Sequence, residues 1–135
     1  MNSEILLRLL ITIGIVILGA AVYWLVNQRL LARAQGNFPA LFNVLPNKPV
    51  LVYFTTPTCA PCKTIQRPAI EQVTKFFGEK IQVVEVDATE HPNLASTWGV
   101  MSVPTTFLLD SRGEARYVNN GVARAEKLME QIRTL

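Results

Sequence analysis

Cys59 and Cys62 are the only cysteines in the 135-residue chain, and only Ala60 and Pro61 separate them. They follow a strand-like run, Val50-Leu51-Val52-Tyr53-Phe54-Thr55, and open a helix-like run, Lys63-Thr64-Ile65-Gln66. A pair so placed can close a small disulfide at a helix N-terminus. Unpaired backbone N–H groups there carry partial positive charge and favour a thiolate. The thiolate is the form that attacks disulfides, so the position makes a redox pair rather than a passive staple.

Three other roles compete. A structural bridge across two residues restrains almost no loop and adds little stability. A zinc site needs four ligands, and His91 is the only histidine, with no second cysteine pair. Two inert cysteines would not need a strand–turn–helix setting. A C-x-x-C beside a β-α-β pattern is most naturally a redox motif.

The elements that must hold this pair occupy the last hundred residues. Val50 to Thr55 reads as a buried strand from its β-branched and aromatic content. A helix over 60–77 follows, with Ile65, Ala69, Val73 and Phe76/Phe77 at helical spacing, Gly78 as its stop, and Pro68 as an expected kink. Ile81 to Asp87 reads as a second buried strand, and His91 to Trp98 as a short helix ended by Gly99. Thr105 to Leu109 is a third strand, a turn covers 110–113, and Glu114 to Asn119 is a fourth strand. A final amphipathic helix, 123–133, would bury Val122, Ala125, Leu128, Met129 and Ile132. Phe38 to Leu45, bracketed by Pro39 and Pro46, reads as a short helix or an edge strand. The order β-α-β-α-β-β-α implies a mixed sheet with helices on both faces.

Ahead of this lies a different kind of segment. Leu9 to Val26 holds no charged residue and is rich in Leu, Ile, Val, Gly and Ala. As a helix it would span about 27 Å, close to a hydrocarbon core of about 30 Å. Ile5 to Leu7 can extend it, and Tyr23 and Trp24 sit at one end as interfacial aromatics do. The expectation is a single membrane span over residues 5–26 in contact with the lipid bilayer. Asn27 to Asn37 would continue it into a linker, with Gly36 as a stop. A cleaved secretory signal is the alternative, with Ala32-Arg33-Ala34 as a small-x-small site, but the apolar run is too long for one.

The net charge of +3 says little about partners. Residues 1–36 carry three arginines against one glutamate, and residues 37–135 carry ten basic against nine acidic residues. No basic run or aromatic–basic interleaving appears, so no nucleic-acid partner is expected.

The ordered set Val50-Leu51-Val52-Tyr53-Phe54, Cys59-Ala60-Pro61-Cys62-Lys63, Val84-Glu85-Val86-Asp87, Trp98-Gly99-Val100, Val103-Pro104-Thr105 and Gly121 resembles the membrane-anchored members of the thioredoxin family over about residues 40–134. The resemblance implies a thioredoxin-like α/β fold over 37–135, preceded by an anchor and linker over 1–36. It implies a thiol–disulfide oxidoreductase acting on protein thiols and disulfides, with no metal or organic cofactor and a second redox partner that resets the pair. Cys59 would be the exposed nucleophile and Cys62 the buried resolving thiol. Pro104 would follow a cis bond beside them, and Val103 would meet the substrate through its main chain. A tethered binding or scaffold module without turnover is the rival.

The chain departs from the family where a buried Asp usually stands, here Tyr53, and where its partner Lys stands, here Val83. Glu85 is then a candidate proton acceptor, on the same strand face as Val83; the alternative is a solvated carboxylate outside the chemistry. His91 reads as a surface turn residue. Arg29 and Arg33 against Arg8 lean the domain slightly towards the cytoplasm, whereas anchored family members often face outward.

Overall fold

All six residues of β1, Val50–Thr55, are buried, which is what a central strand demands. The computed structural model describes residues 3–34 and 47–135. Phe38 to Leu45, Gly36 and Asn37 lie outside the described residues.

After β1 come a π-helical turn, Cys62–Gln66, and α2, Arg67–Phe77. Then follow β2 (Gln82–Asp87), α3 (Pro92–Thr97), β3 (Thr105–Leu109), β4 (Ala115–Asn120) and α4 (Ala125–Arg133). The four strands lie in the order β2-β1-β3-β4. β1 pairs in parallel with β2 and antiparallel with β3, and β3 pairs antiparallel with β4. The strand–helix–strand crossover forces the parallel pair, and the tight turn after β3 forces the hairpin. The sheet is thus the mixed, thioredoxin-like one expected.

Side chains alternate across β1, so two cores form. Leu51 and Tyr53 face α2 and α4 and pack with Cys62, Val73, Leu108 and Leu128. Val50, Val52 and Phe54 face the other way, with Val86, Trp98 and Phe107. Trp98 meets Phe107 edge-on at 4.9 Å between ring centroids and Phe54 at 5.7 Å, a stabilising aromatic geometry.

Four local expectations need correction. β2 is an edge strand among the described residues rather than a buried one: within it only Val86 is fully buried, and Glu85 is exposed. Ile65 is half-exposed, because the i→i+5 turn beginning at Cys62 swings it off the face that Cys62, Gln66, Ala69 and Val73 share. The interruption expected at Pro68 takes the form of that turn. Arg67 N–H bonds back to Cys62 O, and Pro68, which has no N–H to give, occupies the first turn of α2. Val122 points outward at 41% exposure because it precedes α4, and Ala123, at 1%, takes the inner place. Of the other expected core residues, Phe76 is exposed, with the Arg133 guanidinium 5.4 Å above its ring, while Phe77 and Met129 pack against the core.

The N-terminal helix, α1, runs unbroken from Ser3 to Ala34. Its apolar stretch has a mean hydropathy of 2.6 and no burial against the rest of the chain, so it is long and apolar enough to cross a membrane. A signal sequence would meet the same description. Its last turns behave differently: Leu30 is buried, and Leu31 packs against the core that contains Phe107.

Candidate redox site

The site forms where β1 ends and the helix begins. Thr56 O accepts from Cys59 N–H at 3.2 Å, turning the chain so that Cys59 tops the strand. Cys59 and Cys62 are joined as a disulfide. Cys62 N–H donates to Cys59 Sγ at 3.2 Å, a backbone donor aimed at the sulfur that would carry the thiolate charge. Cys59 keeps 8% of its surface exposed and Cys62 none, so of the two sulfurs the first is the one open to a partner.

Three further pieces enclose the pair. The Val103–Pro104 bond is cis; Pro104 is buried, and Val103 is half-buried and touches both cores. Gly121, at φ +89° where only glycine rests easily, donates its N–H to Pro104 O at 2.9 Å. Tyr53 closes the inner wall: its hydroxyl donates to Cys62 O at 3.2 Å. Burial holds the Tyr53 phenol above its ordinary value, with the Glu85 carboxylate adding in the same direction, so it stays neutral.

Glu85 sits opposite Tyr53 in the strand register. Its carboxylate is turned to Arg67 in a 2.8 Å ion pair, both side chains about half exposed. Tyr53, not Glu85, reaches Cys62. The two flank a cavity of about 710 Å³ at the β2 edge, with Tyr53, Ile70 and Val83 in its wall. His91 is exposed at the start of α3, as a turn residue would be.

The sequence singles out Tyr53 but not its bond to Cys62 O, and it gives no role to Gln66, which is fully buried and hydrogen-bonded twice to the backbone of Ala123. A glutamine inside an otherwise amphipathic helix was the available signal.

A cysteine pair at a helix start, one residue slightly exposed and one fully buried, on a mixed sheet that also carries a cis-proline, has the features of a thiol–disulfide exchange site. The chain belongs to the thioredoxin family, whose sequence pattern matches residues 30–134. Thioredoxin of Bacillus subtilis is 36% identical over 83 residues, covering 62% of this chain and 78% of that one. A thioredoxin-like protein of Synechocystis is 35% identical over 85 residues, covering 63% and 79%. Among solved structures, a mutant thioredoxin from Halobacterium salinarum superposes with a TM-score of 0.58 at 30% identity, covering 65% and 74%. Thioredoxin-2 of the malaria parasite gives 0.63 at 23% identity, covering 68% and 87%, which speaks for the fold alone. With its redox-active pair, this chain is a protein-disulfide oxidoreductase of the thioredoxin type.

Proposed function

We propose that this protein works as a membrane-tethered oxidoreductase, α1 lying in the bilayer over about residues 5–26 and the domain standing at its surface. What supports the tether is the exposed apolar stretch of α1. The single observation that carries the chemistry is the asymmetry of the pair: Cys59 keeps 8% of its surface exposed, and Cys62 keeps none and has its N–H on the Cys59 sulfur.

Cys59 thiolate attacks one sulfur of a substrate disulfide. The Cys59–substrate bond forms, the substrate S–S bond breaks, and one substrate thiolate leaves. Cys62, losing its proton, then attacks Cys59 Sγ. The Cys59–Cys62 bond forms and the second substrate thiolate departs, so two electrons pass from the protein to the substrate. A dithiol partner returns them. Val103 and Pro104 form the wall along which an extended substrate segment lies. Water and the departing thiolate accept the Cys62 proton, while the Glu85 carboxylate stays turned to Arg67.

Reduction of insulin by dithiothreitol tests this reading. The protein should accelerate it, and Cys59→Ser should abolish the acceleration. A wild-type protein without effect would leave a tethered binding module as the better account. Resistance of α1 to carbonate extraction from membranes, with the chain still full-length, tests the tether.

A further inference from the structure

Gln66 is fully buried, four residues beyond Cys62, and its amide spends both of its functions on one residue 57 positions away. Gln66 Nε2 donates to Ala123 O at 3.1 Å, and Ala123 N–H donates to Gln66 Oε1 at 2.8 Å. Ala123 ends a short segment whose other end, Gly121, is held by its N–H on Pro104 O at 2.9 Å. Between these two anchors stands Val122, pushed outward at 41% exposure next to the Val103–Pro104 wall. The segment 121–123 is therefore pinned at one end to the cis-proline and at the other to the helix that carries Cys62.

Gln66 lies one helical repeat after Cys62 and shares its buried face, while the wider i→i+5 turn carries Ile65 off that face and leaves it half-exposed. Such insertions concentrate at functional sites. A buried amide bonded at both its nitrogen and its oxygen also fixes geometry more narrowly than apolar packing does, because any shift leaves a buried donor or acceptor unpaired.

We propose that Gln66 is a positioning residue for protein substrates. Its amide holds Val122 in register with Pro104 and Cys59, and so sets the groove in which an extended segment of substrate must lie. This rests on the oxidoreductase reading above and names a residue on which its preference for proteins depends. A small disulfide needs only the exposed Cys59 sulfur, whereas a protein segment must also fit between Val122 and Val103. Displacing the segment should therefore penalise protein substrates more than small ones.

The test compares full-length wild type with Gln66→Met, which keeps the chain length and removes both hydrogen bonds, and with Gln66→Asn, which keeps the amide but is too short to reach both groups. For each, kcat/KM with insulin and the rate with hydroxyethyl disulfide are measured, with circular dichroism to confirm folding at the assay temperature. The expected result is a fall of about tenfold in the insulin-to-small-disulfide ratio, carried mainly by KM, in line with the cost of slight misplacement at a site. Equal losses with both substrates would make Gln66 merely structural, and unchanged ratios would make it idle; either overturns the proposal. Should Gln66→Met fail to fold, Gln66→Asn decides by the same ratio. A wild-type protein inactive with both substrates would instead overturn the oxidoreductase reading, and this inference with it.

Discussion

The Tyr53 hydroxyl donates a hydrogen bond to the carbonyl oxygen of Cys62, joining the central strand to the first turn of the redox helix. The same oxygen accepts Arg67 N–H, the bond that closes the π turn. Tyr53 thus buttresses a helix start that regular α-helical bonding does not hold, and puts a neutral group against the resolving cysteine.

Tyr53→Phe should cost about 1 kcal/mol at neutral pH, the usual worth of one hydrogen bond, read from urea unfolding. Tyr53→Asp should cost about 3 kcal/mol or more, since it removes a buried ring and leaves a carboxyl facing Val83 where no lysine waits. The alkaline limb has a defined sign. Burial raises the phenol above its ordinary 10.0, so the folded chain keeps a proton that the unfolded chain loses. The resulting stability is full below pH 10.0 and is lost as pH rises through the raised folded value. Tyr53→Phe should lose less stability than wild type on that limb; parallel curves would count against a buried, neutral phenol.

Cys59 should be the thiol that limiting iodoacetamide labels in the reduced protein, because Cys62 is fully buried. Cys62→Ser should accumulate mixed disulfides with substrates on non-reducing gels, and Cys59→Ser should accumulate none. Preferential labelling of Cys62 would reverse the assigned roles.

Leu30 and Leu31 lie on the long helix α1, which contacts β4; Leu30 is buried, and Leu31 packs against the core that contains Phe107. Leu30→Ala should lower the stability of the folded domain by about 2 kcal/mol, the low end for a buried leucine because the site lies at the rim of the core. A chain beginning at residue 27 should outlast one beginning at residue 37 by a similar margin in urea. Equal midpoints would place the domain boundary after the helix.

Asp87 accepts the Thr89 hydroxyl at 2.6 Å and Thr89 N–H at 2.8 Å, and these bonds hold its carboxyl below the ordinary 3.8. The unfolded state therefore takes up the proton first. The stabilisation is complete above pH 3.8 and is lost as pH falls through the lower folded value. Thr89→Ala should be less stable than wild type at neutral pH, and the gap should narrow in acid. A gap that stays constant from pH 7 to 2 would rule out the linkage.

Were α1 to span a membrane, the charges that flank it would set the side on which the domain lies. Arg29 and Arg33 outweigh Arg8, which favours a cytoplasmic domain. Alkaline phosphatase fused after Leu135 should be inactive in intact cells, and a fluorescent protein there should be bright; the reverse pattern would place the domain outside.

Local chemistry was enough to find the redox pair, the strand Val50–Thr55 that precedes it and the apolar span of α1. Each rests on neighbours within one element: a spacing of three, a β-branched run, eighteen uncharged residues. Strand order could not be found this way. Ile81 to Asp87 has the composition of a buried strand, but its exposure depends on whether another strand lies beyond it, and among the described residues β2 has β1 alone as a neighbour. The helix after Cys62 misled for a related reason. A spacing rule assumes 3.6 residues per turn, whereas Pro68 withholds one N–H, and the chain widens its preceding turn, which carries Ile65 outward and leaves Gln66, four residues after Cys62, on the buried face. That burial is tolerable only because Ala123, far along the chain, supplies both hydrogen-bond partners for the amide. Likewise, Leu31 joins the core only because α1 lies against β4. Residue types and short spacings determine which chemistry the chain can perform. Contacts between residues distant in sequence decide which side chains are desolvated and paired, and therefore which of them hold that chemistry in place.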